Sequence, residues 1–582
     1  MPPISSANLM ERNQFFFIAL ISLTLIQFTY AYWIPFQFIP GPHDDLLYFR
    51  LAESIANLKW LGVFDQTTLI KGFAYPFFLS LSIFFKIPLR ILESLLICGS
   101  AFYFIIAIYR AFPNKTILVL IYGAIIFYPF QYSLISFRLL RDMIYLPLLL
   151  LIISSLYLMY LDRVDHLQKG KWLWIHPVIF GGALFFFWNS REEGIWIAPA
   201  LGLWMCLLLL RAFQIDDIRG LAKQLAIAVL IMCTLQGILL SLNAYKYRAI
   251  VVTIFKESNF QRGFSALYRV DSPKLWNEDI SQDDWKTLFQ NSPTAAELRP
   301  FVTGKTYRFW ADITCNAISE LGYGAIEQTA CPAGLPPGNV PFALMDGLFE
   351  IGYRNPAQIS EFMGRMANEI DNACKAKKMA CIAPPPFMLS RNIFEYGIPW
   401  DIFLHNLKRS IYIMATPTPT SLNLFNSYYD LNSVPNMRAQ LGGKLFTSQL
   451  GRDLNATEAK AHLEMSQFFV SKSRILNVLF NGSSKAYSIF VHWAWVLFLP
   501  MTWLAYRRPN SFNYIVTTLL LLAMSRASVI SVLDYYAVAP IWPLALVSGT
   551  YLLFLAELLS CGYLCQLLIA RLQSGDRNSS VL

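Results

Sequence analysis

The chain has 582 residues, 55% of them hydrophobic and only 14% charged, with a mean hydropathy of +0.44. A soluble globular protein of this size cannot bury so much apolar surface, so much of the chain must face lipid. The net charge of +10 contains no basic block or basic–aromatic repeat; this argues against a nucleic-acid partner and fits Lys and Arg spread over cytoplasmic membrane loops.

The first apolar run, residues 14–36, is too long for a signal-peptide core and lacks a small-residue cleavage site, so it reads as a retained span. Two adjacent carboxylates, Asp44 and Asp45, follow, then an amphipathic stretch to Trp60. Residues 72–88, "GFAYPFFLSLSIFFKIP", are ambiguous. If they cross the membrane, every later loop changes sides and the basic loops move outside. They are therefore expected to form a juxtamembrane or re-entrant helix. Further runs near the ~20 residues that span a bilayer lie at 91–110, 116–136, 143–161, 173–189, 195–212, 224–243, 486–505, 512–533 and 538–558, ten spans with the first.

With the N-terminus inside, Arg110–Lys115, Arg163–Lys171, Arg211–Lys223, Arg507–Arg508 and the tail with Arg571 and Arg577 are cytoplasmic. Each carries at least two basic residues, as the positive-inside rule asks. Residues 37–90, 137–142, 189–194 and 244–485 then share the outer face of a bacterial inner (plasma) membrane. The expected fold is an α-helical polytopic membrane protein with a mainly helical extracytoplasmic domain. Its parts are a membrane module at 1–243, the outer domain at 244–485, and C-terminal spans with a cytoplasmic tail at 486–582.

The insertion is polar and broken by "AGLPPGNVP", "APPPF" and "TPTPT". Helical periodicity runs through "AAELRPFV", "PAQISEFMGRMANEIDNACKAKK" and "TEAKAHLEMSQFFVSKSRILNVLF". Four of the nine cysteines, Cys315, Cys331, Cys374 and Cys381, lie here. Sequence allows three pairings; the short Cys374–Cys381 spacing suits a local bridge closing a helix end, with Cys315–Cys331 as the other. An oxidising outer compartment agrees with the orientation.

The same topology collects charge at the outer ends of spans. Lys71 comes from the first loop, Arg138, Arg141 and Asp142 from "FRLLRD", Arg191, Glu192 and Glu193 from "NSREEG", and Arg526 and Asp534 from "SRASVISVLDYYAVAP". Arg526 follows about a dozen apolar residues, so it sits at hydrocarbon depth, where a charge costs on the order of 2.5–3.5 kcal/mol and marks a pathway or an anionic partner. Lys71, Arg138, Arg141 and Arg526 together suit a phosphate or diphosphate. Carboxylates beside them suit proton abstraction. The structural alternative for each cation is snorkelling at a span end, and for Arg526 an ion pair with Asp534 or Glu192.

The stretches "DDLLYFRLAESIA" and "IKGFAYPFFLSLSIF" resemble the first outer loop of GT-C superfamily glycosyltransferases, such as the protein O-mannosyltransferases and the lipid A aminoarabinose transferases. The resemblance implies that Asp44 is the catalytic carboxylate, Asp45 its acidic neighbour, Tyr48 the tyrosine that follows, and Lys71 the lysine that meets the lipid phosphate. It sets Asp142 in the second outer loop, and Arg526, Tyr536 and Pro540 against a late Arg–Tyr–Pro pattern. The family's Lys–Pro is Lys71–Gly72 here. The implied reaction is an inverting transfer of sugar from a polyprenyl-phosphate-linked donor to an extracytoplasmic glycan, lipid or protein. Asp142 would orient the acceptor or hold Arg138 and Arg141, and Arg191 would pair with Glu192 or Glu193. Tyr48, Arg191, Glu192, Asp534 and Tyr536 would line the substrate. No cofactor is required, although Mg or Mn between loop carboxylates is compatible with the family. The competing readings are a transporter or flippase for an anionic lipid or sugar, and a non-catalytic scaffold of envelope assembly.

Overall fold

The computed structural model describes residues 6–33, 45–109, 111–132, 139–164, 174–191, 194–272, 280–311, 335, 340–384, 400–415, 485–487, 489–490, 511–537 and 543–574. These are about 81% helical, without a strand, and include seven helices long and apolar enough to cross a membrane. The chain is an α-helical membrane protein. The membrane module uses α1 (Ser6–Trp33), α4 (Leu89–Ile108), α5 (Lys115–Ile126), α6 (Asp142–Val164), α7 (Ile175–Trp188), α8 (Ala198–Gln214) and α9 (Ile218–Tyr247). Two short helices, α2 (Asp45–Ala56) and α3 (Ala74–Phe85), lie between α1 and α4.

Contacts between helix termini fix the two ends of this bundle. Gln27 and Ala31 near the end of α1, Arg90 and Glu93 at the start of α4, and Asp142 at the start of α6 line one cavity. Arg191, just past α7, is ion-paired to Asp142. The Ala74 N–H donates to the Asn189 carbonyl at 3.3 Å, so α3 begins at this same end. At the opposite end Gln566 donates to the Ala111 carbonyl at 3.3 Å, and Tyr103 meets His176 at 2.7 Å. Both ends of α3 therefore lie at the Asp142 end. Its 12 residues rise about 18 Å, short of the ~30 Å hydrocarbon core. The helix turns back instead of crossing.

Two expected spans have different bounds. Residues 116–136 give a helix only to Ile126, followed by a 3-10 turn at Pro129–Tyr132. Pro129 cannot donate a helical hydrogen bond and disfavours helical geometry at the residue before it. The final span does not end at 558. After α15 (Ser511–Ala537), α16 runs from Pro543 to Ser574. "ELLSCGY" lowers the apolar density there, yet it holds no proline, and a single glycine, Gly562, costs only about 1 kcal/mol inside a helix, so the helix continues. Expected span 486–505 lies mostly outside the described residues, as does the helix at 457–480.

The continuation carries Glu557 into the middle of the span Ser548–Ile569. Glu557 is fully buried, and neither carboxylate oxygen has a hydrogen-bond partner among the described residues. A carboxyl in such a place is retained against stability. Glu557→Leu is expected to raise the unfolding temperature of the detergent-solubilised protein, with a gain of about 1–4 kcal/mol. A lower unfolding temperature would show that the carboxyl has a stabilising partner.

Beyond α9 the chain forms α10 (Ser258–Leu267), α11 (Gln282–Asn291), α12 (Val340–Glu350), α13 (Pro356–Lys375) and α14 (Trp400–Ala415). α13 starts cleanly because Asn355 accepts from the Gln358 N–H at 2.9 Å and Pro356 occupies the first turn. Ile359, Phe362, Met363, Met366 and Ile370 fall on one face and are fully buried against α10 and α11. Burying each contributes about 1.5–3 kcal/mol relative to leaving it in water. Gly263 of α10 lets the two backbones approach, since a Cβ there would lie 2.8 Å from the Met363 carbonyl oxygen. Cys374 and Cys381 are at disulfide distance and close the end of α13. Cys315 and Cys331 lie outside the described residues.

This core does not stop at residue 244. Leu47, Leu51, Leu61, Leu69, Ile70 and Phe73 of the first loop belong to the same apolar cluster as Phe260, Phe301 and Phe362. The Ile254 N–H donates to the Leu69 carbonyl at 2.8 Å, and Tyr247 donates to the Gly62 carbonyl at 3.0 Å. Trp60 donates to Asn243 at 2.8 Å. The large insertion thus packs directly on the loop that carries Asp45 and Lys71.

Candidate functional site

The first loop is held from within by Asp65. Burial alone would raise its pKa, but the Arg50 charge and hydrogen bonds from Thr67 and Thr68 outweigh that and hold the carboxyl below its ordinary value. Arg50 forms an ion pair with Asp65 and donates to the Thr67 hydroxyl at 2.5 Å. This brace leads into Lys71, whose ammonium lies 5.3 Å from the Tyr48 ring centroid. Tyr48 packs edge-on against Tyr75 with ring centroids 5.2 Å apart. Asp45 is fully buried in the first turn of α2, where a negative charge meets the positive end of the helix dipole. The Tyr75 hydroxyl feels the charges of Glu93, Arg90 and Asp45 together, so the start of α2 and the start of α4 share one locale.

The surroundings of residue 72 require glycine. A Cβ at residue 72 would lie 2.1 Å from the Asn189 carbonyl oxygen, the same oxygen that accepts from the Ala74 N–H. Only glycine allows this approach without a backbone shift. Lys71 is thereby tied to the end of α7, and through it to the next residues. Arg141 reaches the Ser190 carbonyl at 3.4 Å, and Arg191 pairs with Asp142 at 2.5 Å, both side chains almost buried. Asp142, expected to orient the acceptor or to hold Arg138 and Arg141, is ion-paired to Arg191; Arg138 lies outside the described residues.

From Arg191 the contacts continue across aromatic rings. Its guanidinium lies 5.6 Å from the Tyr145 ring, which stacks on Phe187 at 4.2 Å. Trp196 donates to the Tyr145 hydroxyl at 2.9 Å, and the Arg526 guanidinium stands 5.6 Å from the Trp196 ring. Ser525 donates to the Trp196 carbonyl at 2.5 Å, fixing α15 here. Arg526 is 1% exposed. Lys71, Arg141, Arg191 and Arg526, from four separate parts of the chain, thus belong to one connected end of the bundle.

Between α1, α4 and α6 this end contains a small cavity of about 20 Å³, room for about one water. Its wall carries Asp142 and two residues that the sequence reading left out, Arg90 and Glu93, paired at 2.8 Å and each 3% exposed. The sequence does hold a signal for them: opposite charges three apart in the first turn of an apolar helix. Among the described residues no group of three or more potential metal ligands occurs. Asp44, Arg138, Glu192 and Glu193 lie outside the described residues, as do the side chains of Asp534 and Tyr536 and residue Pro540. Comparison of the chain with family models, with curated proteins and with solved structures returns no match.

Proposed function

We propose that the protein is a membrane glycosyltransferase of GT-C architecture, moving a sugar from a polyprenyl-phosphate-linked donor to an acceptor on the outer face of the bacterial inner membrane. The acceptor hydroxyl attacks the anomeric carbon, forming the new glycosidic bond. The bond from that carbon to the phosphate oxygen breaks, and the electron pair leaves with the polyprenyl phosphate. Asp44, one residue before the buried Asp45, takes the acceptor's proton late in this displacement. Lys71 and Arg526 stabilise the charge that grows on the leaving phosphate. Arg141 adds to this field, and Asp142 is held by Arg191 on the acceptor side. No metal is needed for these roles; Mg or Mn between loop carboxylates would serve the same charge.

The observation that carries the reading is the gathering of Lys71, Arg141, Arg191 and Arg526 with Asp45 and Asp142 at one end of the bundle. The packing of the insertion on the first loop supports the reading, since it offers a surface beside that loop for an acceptor. Purified protein in liposomes, given a panel of prenyl-phosphate monosaccharides and envelope acceptors, is expected to release prenyl phosphate. Asp44→Asn should lower that turnover by roughly 10²–10⁴-fold while donor binding persists. Full turnover in the Asn variant would remove Asp44 as the base and the reading with it. A carrier for an anionic lipid or sugar is the second reading, favoured by the mid-span Glu557, whose carboxylate oxygens have no hydrogen-bond partner among the described residues. A carrier would move the prenyl-phosphate sugar between leaflets and release no product.

A further inference from the structure

By sequence α14 (Trp400–Ala415) belongs to the insertion, yet its buried side joins the apolar core of the membrane bundle. Met414 is part of that core, and Leu407 and Ile411 pack against it. Two contacts fix the height of the helix. The Ser410 and Ser531 hydroxyls meet at 3.1 Å, and Ser531 is the last residue but one of the span Asn513–Val532. Gly549 is the second residue of the span Ser548–Ile569. A Cβ there would press on the Met414 sulfur and lie 3.6 Å from the Arg526 Cγ, so this glycine admits Met414 beside Arg526. Both contacts fall where a span ends, at the end of the bundle that holds Arg526. Hydrocarbon gives way to lipid headgroups at that depth.

Residues four apart share one face of a helix, and α14 sorts its side chains accordingly. Asn406, Ser410 and Met414 are buried. The opposite stripe is Trp400, Leu404, Lys408 and Tyr412. Trp400, Leu404 and Tyr412 are 69%, 47% and 68% exposed, and Lys408 is exposed with them. Arg409 sets a second exposed cation beside Lys408. Water is a poor partner for the three large side chains, and hydrocarbon a poor one for the two charges. The headgroup layer suits both, since Trp and Tyr settle there and Lys and Arg meet anionic lipid.

We propose that the exposed face of α14 binds anionic phospholipid at the Arg526 end of the bundle. Lys408 and Arg409 meet the headgroup phosphate, and Trp400, Leu404 and Tyr412 seat among the upper acyl chains. The assignment does not rest on the glycosyltransferase reading. Full-length protein in neutral detergent is titrated with phosphatidylglycerol or with phosphatidylcholine of the same chains, and bound lipid is read by native mass spectrometry. Phosphatidylglycerol is expected to be retained preferentially. Lys408→Gln should weaken its binding by roughly fivefold, the effect of one basic residue at a lipid surface, and adding Arg409→Gln should weaken it again. Lys377→Gln/Lys378→Gln makes the same charge change on exposed residues just past α13, and should bind as the wild type does.

Equal retention of the two lipids by the wild-type protein overturns the proposal, and this comparison needs no variant to fold. Phosphatidylglycerol binding unchanged in Lys408→Gln/Arg409→Gln overturns it as well. Displacement of the lipid by glycerol phosphate at matched concentration would make this a site for soluble anions. A wild-type dimer that the α14 variant separates would make it a contact between copies. Either result overturns the lipid assignment. Failure to transfer sugar from any prenyl-phosphate donor would sink the enzyme and leave this site standing.

Discussion

Arg191→Leu is expected to destabilise the protein by about 3–5 kcal/mol, the loss that follows when one member of a buried ion pair is left alone. The Asp142 and Arg191 side chains are only 7% and 11% exposed, so water cannot replace the missing partner. Asp142→Leu should cost a similar amount. The double variant should cost far less than the sum, because an apolar pair at this site carries no stranded charge. Chemical unfolding of the four proteins in mixed micelles measures the coupling. If the two single losses simply add, the pair is not a unit and Asp142 is held by something else. The pair also seats Arg191 over Tyr145, so its loss should loosen the aromatic path to Trp196 and Arg526.

Gly72→Ala should have a comparable effect for a steric reason. Its Cβ would lie 2.1 Å from the Asn189 carbonyl oxygen, and neither partner is a flexible side-chain end. The loop must move away, breaking the Ala74–Asn189 hydrogen bond and displacing Lys71 from the site. Overpacking of this kind costs about 1–3 kcal/mol, and the lost hydrogen bond roughly 1 kcal/mol more. Gly182→Ala is the matched control, because a Cβ there meets nothing within 4 Å. Inside α7 that change should be neutral or stabilising, by about 0.5–1 kcal/mol. A thermal unfolding series that ranks the two variants equally would remove the close approach, and with it the account of why Gly follows Lys71.

Much of the architecture was legible in the sequence because lipid imposes a simple rule. A run of about 20 apolar residues must be helical, since nothing else satisfies its backbone in hydrocarbon. That rule located α1, α4, α6, α8, α9 and α15. Amphipathic periodicity located α13, and short spacing located the Cys374–Cys381 closure. The rule works poorly where helices are short or interrupted, which is why α5 ends at Ile126, ahead of Pro129, and α16 runs on past Glu557. Periodicity and hydropathy describe each segment against its solvent, and that is what sequence alone determined here.

Partner choice was decided only by the folded chain. Sequence could say that Asp142 and Arg191 stand at span ends, but not that they meet each other instead of nearer neighbours. It could not show that the Asn189 carbonyl presses on residue 72, or that the insertion shares its core with Leu47, Leu61 and Ile70. Arg90 falls at the end of the expected loop 37–90 and Glu93 inside the expected span 91–110, and only the folded chain sets both in one cavity wall with α1 and α6. These relations depend on distances between elements far apart in the chain. Local composition carries no record of such distances, and helix packing sets them.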